Sequence, residues 1–231
     1  MDISLPLILA SASPRRRELL AMLDLPFTVE SPGVDESLRE REPPYEYVQR
    51  LSMAKATAVA KDHKEGLVIA ADTIVVLLGE ILGKPADEAD ARDMLKRLRG
   101  KQHRVLTSVS VCNAATGKTI TDVCESKVTI RQMSDEEIGA YVASGDPMDK
   151  AAAYAIQNVA FAPVEQVVGC PANVMGLPMC HVVRTLRRHG LELPPSEPLG
   201  CRIQYGYHCA IAERVMPGLD EQGLLARPSG S

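Results

Sequence analysis

The run Leu67-Val68-Ile69-Ala70-Ala71-Asp72-Thr73-Ile74-Val75-Val76-Leu77-Leu78 is almost continuously apolar. A strand of this kind is covered on both faces, which requires a sheet with a layer packed on each side. Asp72 sits in its middle. A lone carboxylate there is costly, so it needs a cation, a metal, water or several donors around it. One reading makes Asp72 a brace for a nearby loop. The other makes it a functional carboxylate, because charged residues in buried strands mark sites. Regular pleating turns Thr73 to the opposite face, and a bulge or the strand's end could let both reach one pocket.

A second buried strand is expected earlier, at Leu7-Ile8-Leu9-Ala10, followed by Ser11-Ala12-Ser13-Pro14-Arg15-Arg16-Arg17. Ser13 suits an N-cap, and Pro14 suits the first helical position, where the missing N–H costs nothing. Cations are disfavoured in a first turn by the positive end of the helix dipole. Serine hydroxyls, free N–H groups and guanidinium forks together make a site for a polyanion such as a phosphate chain. The bland alternative is a solvated basic turn.

Between these runs a short strand is expected over 27–30. Ser31-Pro32-Gly33 breaks it, and a polar loop follows in which Glu36 gains interest only if the loop folds back over the anion site. A helix is expected over 45–63, with Val48, Leu51, Ala54 and Ala58 as its apolar stripe. Lys55 lies on or beside that stripe, as a snorkelling edge lysine or as an ammonium aimed at a phosphate. Beyond the long strand, Gly79-Glu80 predicts a hairpin into Ile81-Leu82, and Gly83-Lys84-Pro85 leaves it. Asp87 caps a helix expected to reach residue 99, with Ala91, Met94, Leu95 and Leu98 inward. Two long strands are expected over 103–112 and 119–130, the first alternating so that one face is buried. Ser134 to Glu137 forms a capping box. Residues 145–157 combine polar groups with small side chains, 164–168 reads as a last strand, and 173–189 as a final helix.

Composition narrows the function classes. The net charge of −4 argues against a general nucleic-acid binder, and 3% aromatic residues argue against a base-stacking surface. No apolar run is long enough for a bilayer, and no signal-peptide pattern is seen. A cytoplasmic protein with reduced thiols is therefore expected, since the cysteines form no C-x-x-C pair. Residues 1–195 are expected to form one mixed α/β domain, with 196–231 a Pro-containing, weakly periodic tail. Cys201, His208 and Cys209 in that tail match no zinc spacing. No P-loop, no G-x-G-x-x-G and no nucleophile motif is present. Clustered cations and a buried carboxylate suit phosphoanhydride hydrolysis, where positioning and charge neutralisation do most of the work.

The chain resembles the Maf family of nucleoside triphosphate pyrophosphatases. The matching pieces are Ala10-Ser11-Ala12-Ser13-Pro14-Arg15-Arg16, Val34-Asp35-Glu36, the lysine of the second helix, Ala71-Asp72-Thr73, Gly83-Lys84-Pro85, Asp149-Lys150-Ala151, Tyr154, Ile156-Gln157 and Val174-Met175-Gly176-Leu177-Pro178. The resemblance implies an elongated fold with a mixed sheet and a central cleft, and hydrolysis between the α and β phosphates with a divalent metal, magnesium or manganese. It implies Asp72 as proton acceptor; Ser11, Arg15, Arg16, Lys55 and Lys84 on the phosphates; Glu36 and Asp72 toward metal or water; and Arg15, Thr73 and Gln157 at specificity positions. The Ala-Asp-Thr and Ile-Gln forms resemble the branch acting on dTTP and UTP. The partner expected is thus a nucleoside triphosphate, with no nucleic acid and no membrane, and pairing as a homodimer is compatible with it. Two other readings stay open: a regulatory nucleotide binder linked to cell division with little turnover, and a pyrophosphatase of modified nucleotides. The family usually has glycine where this chain has Ala152, Ala155 and Asn158, so the alanine methyls are expected to narrow the pocket if those glycines serve close backbone approach.

Overall fold

A computed structural model describes residues 5–193 and Val215. The expected tail over 196–231, with Cys201, His208 and Cys209, lies outside the described residues apart from Val215. The strands are β1 (Leu7–Ala10), β2 (Phe27–Glu30), β3 (Leu67–Leu77), β4 (Glu80–Leu82), β5 (Gln102–Asn113), β6 (Thr119–Ile130) and β7 (Val164–Val168). The helices are α1 (Pro14–Ala21), α2 (Pro44–Ala60), α3 (Glu88–Leu98), α4 (Asp135–Ala143), α5 (Pro171–Val174) and α6 (Met179–Arg188). The strands form one mixed sheet in the order β2-β1-β3-β5-β6-β7, with β4 also on β3. The expected mixed α/β class is the one observed.

Each face of the sheet is covered, as the apolar run requires. Odd-numbered residues of β1 and β3, such as Leu9 and Ile69, pack with α1, α5 and α6. Val75, Leu77 and Val105 continue that face under α3 and α4. Even-numbered residues such as Ile8, Val68 and Val76 face α2. The caps behave as their chemistry dictates: Ser13 accepts from the Arg16 N–H, Asp87 from the Asp90 N–H, and Ser134 with Glu137 closes a full capping box.

Four expectations are corrected. α2 ends at Ala60 rather than 63. Its buried face carries Val48, Leu51, Ser52, Lys55 and Val59, whereas Ala54 and Ala58 are only half-buried. β5 is buried on both faces, not one, because it runs between β3 and β6 with helices on either side. The final helix is two helices: Gly176 adopts φ +106 and Pro178 follows, and neither continues an α-helix.

One buried group makes stability depend on pH. His103 is 3% exposed, its Nε2 lies 2.7 Å from the Tyr154 hydroxyl, and burial pulls its pKa down to about 4. Between that value and the ordinary 6.5 the unfolded chain binds the extra proton, so stability falls as pH drops through this window. The loss amounts to about 3 kcal/mol once pH is below both values. Thermal melts of wild type and His103→Gln across pH 4 to 7 are expected to show the steeper acid-side decline in wild type.

Candidate active site

The site exists because one edge of β3 is left without a strand. β5 pairs along its other edge from Leu67 to Val76. On the near edge, pairing with β1 stops at Leu9↔Ile69, and β4 takes over only from Val75. In the gap this leaves over residues 70–74, Asp72, Thr73 and Ile74 line a cleft of about 610 Å³. A cleft at an open edge is reached from both faces of the sheet. Asp72 and Thr73 point to opposite faces and both line it, with neither a bulge nor a strand end.

Lys55 comes down from α2 onto Asp72. Its Nζ lies 2.6 Å from Asp72 Oδ1 and 2.8 Å from Glu36 Oε1, and Lys55 and Asp72 are only 7% and 6% exposed. The edge-lysine reading gives way to a buried ammonium between two carboxylates. The Glu36 loop does fold back: the Tyr47 hydroxyl donates to the Glu36 carbonyl at 2.8 Å, and Arg50 donates to the Ser37 carbonyl at 3.0 Å. Burial raises the pKa of Asp72 above the usual carboxylate range, Lys55 and Arg16 oppose that rise, and Glu36 adds to it.

On the other face, Arg16 is fixed by two bonds. Its Nε donates to the Gly176 carbonyl at 2.9 Å and its Nη2 to Thr73 Oγ1 at 3.2 Å. Burial lowers the Arg16 pKa and Asp72 opposes this; a guanidinium stays charged at any physiological pH. Thr73 Oγ1 lies 2.9 Å from Thr107 Oγ1, which donates to the Asn173 carbonyl at 2.9 Å. Asn173 in turn donates to the Val105 carbonyl and to Ser126 Oγ. Gly176 fits where it stands because its φ is +106, a conformation strained for any L side chain, and a Cβ would also crowd Arg16 Nε and Thr73 Oγ1 at 3.3 Å.

Ser11, Arg15, Arg16, Glu36, Lys55, Asp72, Thr73, Lys84 and Gln157, the residues given a site role from the sequence, all line this one cleft. Ser11 is buried at the end of β1, its Oγ accepting from the Ser13 N–H at 3.2 Å. Arg15 is half-buried and 3.6 Å from Asp149 Oδ2. Lys84 and Gln157 are exposed residues of the cleft wall. Arg17, the third arginine, is exposed and does not contribute to the lining. Sequence reasoning missed Tyr47, Thr107 and Asn173. The available signal was polar side chains at positions patterned as core.

Among the described residues no group of three or more His, Cys, Asp or Glu converges. Glu36 and Asp72 are two carboxylates on one ammonium. That is too few for an all-protein cage, but it fits Mg²⁺ arriving on a triphosphate, where one or two carboxylates supplement phosphate oxygens and water.

Residues 6–189 match the family model described as Maf-like protein. The chain belongs to the Maf family. It is 48% identical to the dTTP/UTP pyrophosphatase of Geotalea uraniireducens over 184 residues, covering 80% of this chain and 95% of that protein. It is also 48% identical to the dTTP/UTP pyrophosphatase of Anaeromyxobacter dehalogenans, covering 83% and 98%, and 46% identical to that of Hahella chejuensis, covering 81% and 94%.

The departures from the Maf pattern now have places. Ala152 is fully buried with φ +58, so its methyl packs into the core and does not narrow the cleft. Ala155 does line the cleft. Asn158 bonds to Asp146 and accepts from the Phe161 N–H, a loop brace. If Asp72 serves as a base it must be ionised, and kcat/KM then falls as pH drops through its raised pKa. Asp72→Asn is expected to melt cooperatively and lose about 10²- to 10⁴-fold in kcat, checked by steady-state kinetics beside thermal melts.

Proposed function

We propose that this Maf-family protein is a nucleoside triphosphate pyrophosphatase that converts dTTP and UTP to the monophosphate and pyrophosphate. The observation that carries the reading is the Lys55-held carboxylate of Asp72, which opens onto the same cleft as Ser11, Arg15 and Arg16. The names of the similar proteins support the choice of dTTP and UTP.

In this reading Ser11, Arg15, Arg16 and Lys84 hold the phosphate chain. Lys55 engages Oδ1 of Asp72, which leaves Oδ2 to orient a water toward the α-phosphorus. The water oxygen forms the new bond to that phosphorus while its proton passes to Asp72. The bond from the α-phosphorus to the bridging oxygen breaks, and pyrophosphate leaves with the bonding pair. The raised pKa of Asp72 suits this task, because a carboxylate that binds protons more tightly is a stronger base. Glu36 and Asp72 are the residues that would hold the substrate's magnesium or manganese, which supplies charge neutralisation on the phosphates. Thr73 and Gln157, which line the same cleft, would meet the nucleoside end of the substrate in this reading.

Turnover is expected with dTTP and UTP above CTP, ATP and 7-methyl-GTP, in magnesium or manganese, and to cease on chelation. In ¹⁸O-water the label is expected in the nucleoside monophosphate. Label in pyrophosphate, or release of orthophosphate, would place the attack elsewhere. Tight binding with no turnover across the panel would favour a regulatory nucleotide binder.

A further inference from the structure

The α2 face that meets the sheet carries an unexpected set of hydroxyls. Ser52, Ser108 and Ser110 are all fully buried. Ser52 Oγ lies 2.7 Å from Ser108 Oγ and 2.8 Å from Ser110 Oγ, and donates to the Gln49 carbonyl at 3.0 Å. Ser110 Oγ lies 2.8 Å from Thr121 Oγ1. A hydroxyl has one proton and two lone pairs, so the directions resolve. With its own proton on Gln49, Ser52 accepts from both Ser108 and Ser110, and Ser110 accepts from Thr121. No member is left unsatisfied.

The position of this cluster is its significance. Ser108 is the β5 residue directly paired with Asp72 of β3. Ser52 precedes Lys55 by one helical turn on the same buried face of α2. On its buried face the helix is therefore tied to β5 through Ser52, at 2.7 Å from Ser108 and 2.8 Å from Ser110, and to β3 through Lys55, at 2.6 Å from Asp72, while the exposed Tyr45 at its start bonds Glu125 of β6. The remaining contacts of that face, from Val48, Leu51, Ala56 and Val59, are apolar and without direction. They leave α2 freer to roll or slide, and a slide of a single residue's rise, about 1.5 Å, stretches or skews a short ammonium–carboxylate bond.

We propose that Ser52 and Ser108 are positioning residues, whose hydroxyl contact fixes the register of α2 on the sheet and so aligns Lys55 on Asp72 for water attack. The inference rests on the pyrophosphatase reading. Neither serine touches the cleft; both act through Lys55. Ser108→Ala is the mild test, because Ser52 still donates to Gln49 and accepts from Ser110. Ser52→Ala is the severe one, because it strands two buried donors. Thr121→Val removes a hydroxyl from the far end of the same cluster and serves as the control.

Steady-state kinetics on dTTP and thermal melts are measured for the wild type and all three variants. Ser108→Ala and Ser52→Ala are expected to lose about tenfold or more in kcat with KM within about twofold, because alignment is lost while phosphate grip is kept. Thr121→Val is expected to lower Tm and keep kcat. Ser108→Ala with wild-type kcat overturns the inference, and so does a kcat loss that follows Tm equally in all three variants. If Ser52→Ala does not fold, Ser108→Ala against Thr121→Val decides alone. A wild type without turnover overturns the pyrophosphatase reading, and this inference with it.

Discussion

Burying an ionisable pair in a sheet is costly, and most of what surrounds Asp72 answers that cost. Moving the carboxylate and the ammonium out of water costs several kcal/mol each, about what a good short contact returns. Apolar residues of the same volume would stabilise the fold as well or better, whereas removing one partner typically costs about 3–5 kcal/mol. The pair is therefore no device for stability. With α2 held across β3 and β5 by the Ser52 contacts, the pair can form, and it draws the Glu36 loop back as well, because the ammonium is 2.8 Å from that carboxylate too. The odd-face core under α1, α5 and α6, with Leu9, Ile69, Leu177 and Val183 fully buried, carries the stability that the site does not.

The open edge of β3 explains how one strand serves two roles. Were β1 a few residues longer, it would cover residues 70–74 and close the cleft. It stops at Ala10, where Ser11, Ala12 and the Ser13 cap turn the chain into α1 and deliver Arg15 and Arg16. Consecutive residues of β3 then divide the labour by face. Asp72, toward α2, meets Lys55; Thr73, toward α5, meets Arg16. Arg16 is held from its far side by the Gly176 carbonyl, so the break between α5 and α6 is part of the site. A continuous helix there would have spent that carbonyl on its own ladder.

How much of this was legible follows from what each residue type reports. Apolar runs and capping residues report local structure directly, which is why β1, β3, α1, α3 and the capping box of α4 fall where the spacing puts them. Asp72 was legible because a charge in an apolar run contradicts its surroundings. The hydroxyls of Ser52, Thr107 and Ser108 were not, because serine and threonine are as common on surfaces as in satisfied cores, and a stripe counted on apolar residues passes over them. Omitting Ser52 rotated the expected face of α2 toward Ala54 and Ala58. The shared cleft of Asp72 and Thr73 was illegible for a different reason: it depends on where β1 and β4 stop relative to β3, a register between distant segments.

The segment facing the arginines shows the same trade of local ease for placement. Ala152 and Ala153 both take φ near +58, a left-handed conformation that costs an L-residue about 1–2 kcal/mol. Two bonds hold them there: the Ala152 N–H donates to the Gly83 carbonyl at 2.8 Å, and the Ala153 N–H to the Lys150 carbonyl at 3.1 Å. The first ties this turn to the loop bearing Lys84. The reversal leaves Asp149 on one side, 3.6 Å from Arg15, and Tyr154 on the other, bonded to His103 in the core. The left-handed alanines thus hold two walls of the cleft, Lys84 and Asp149, at a fixed separation, and their strain is sustained by the apolar packing of both methyl groups.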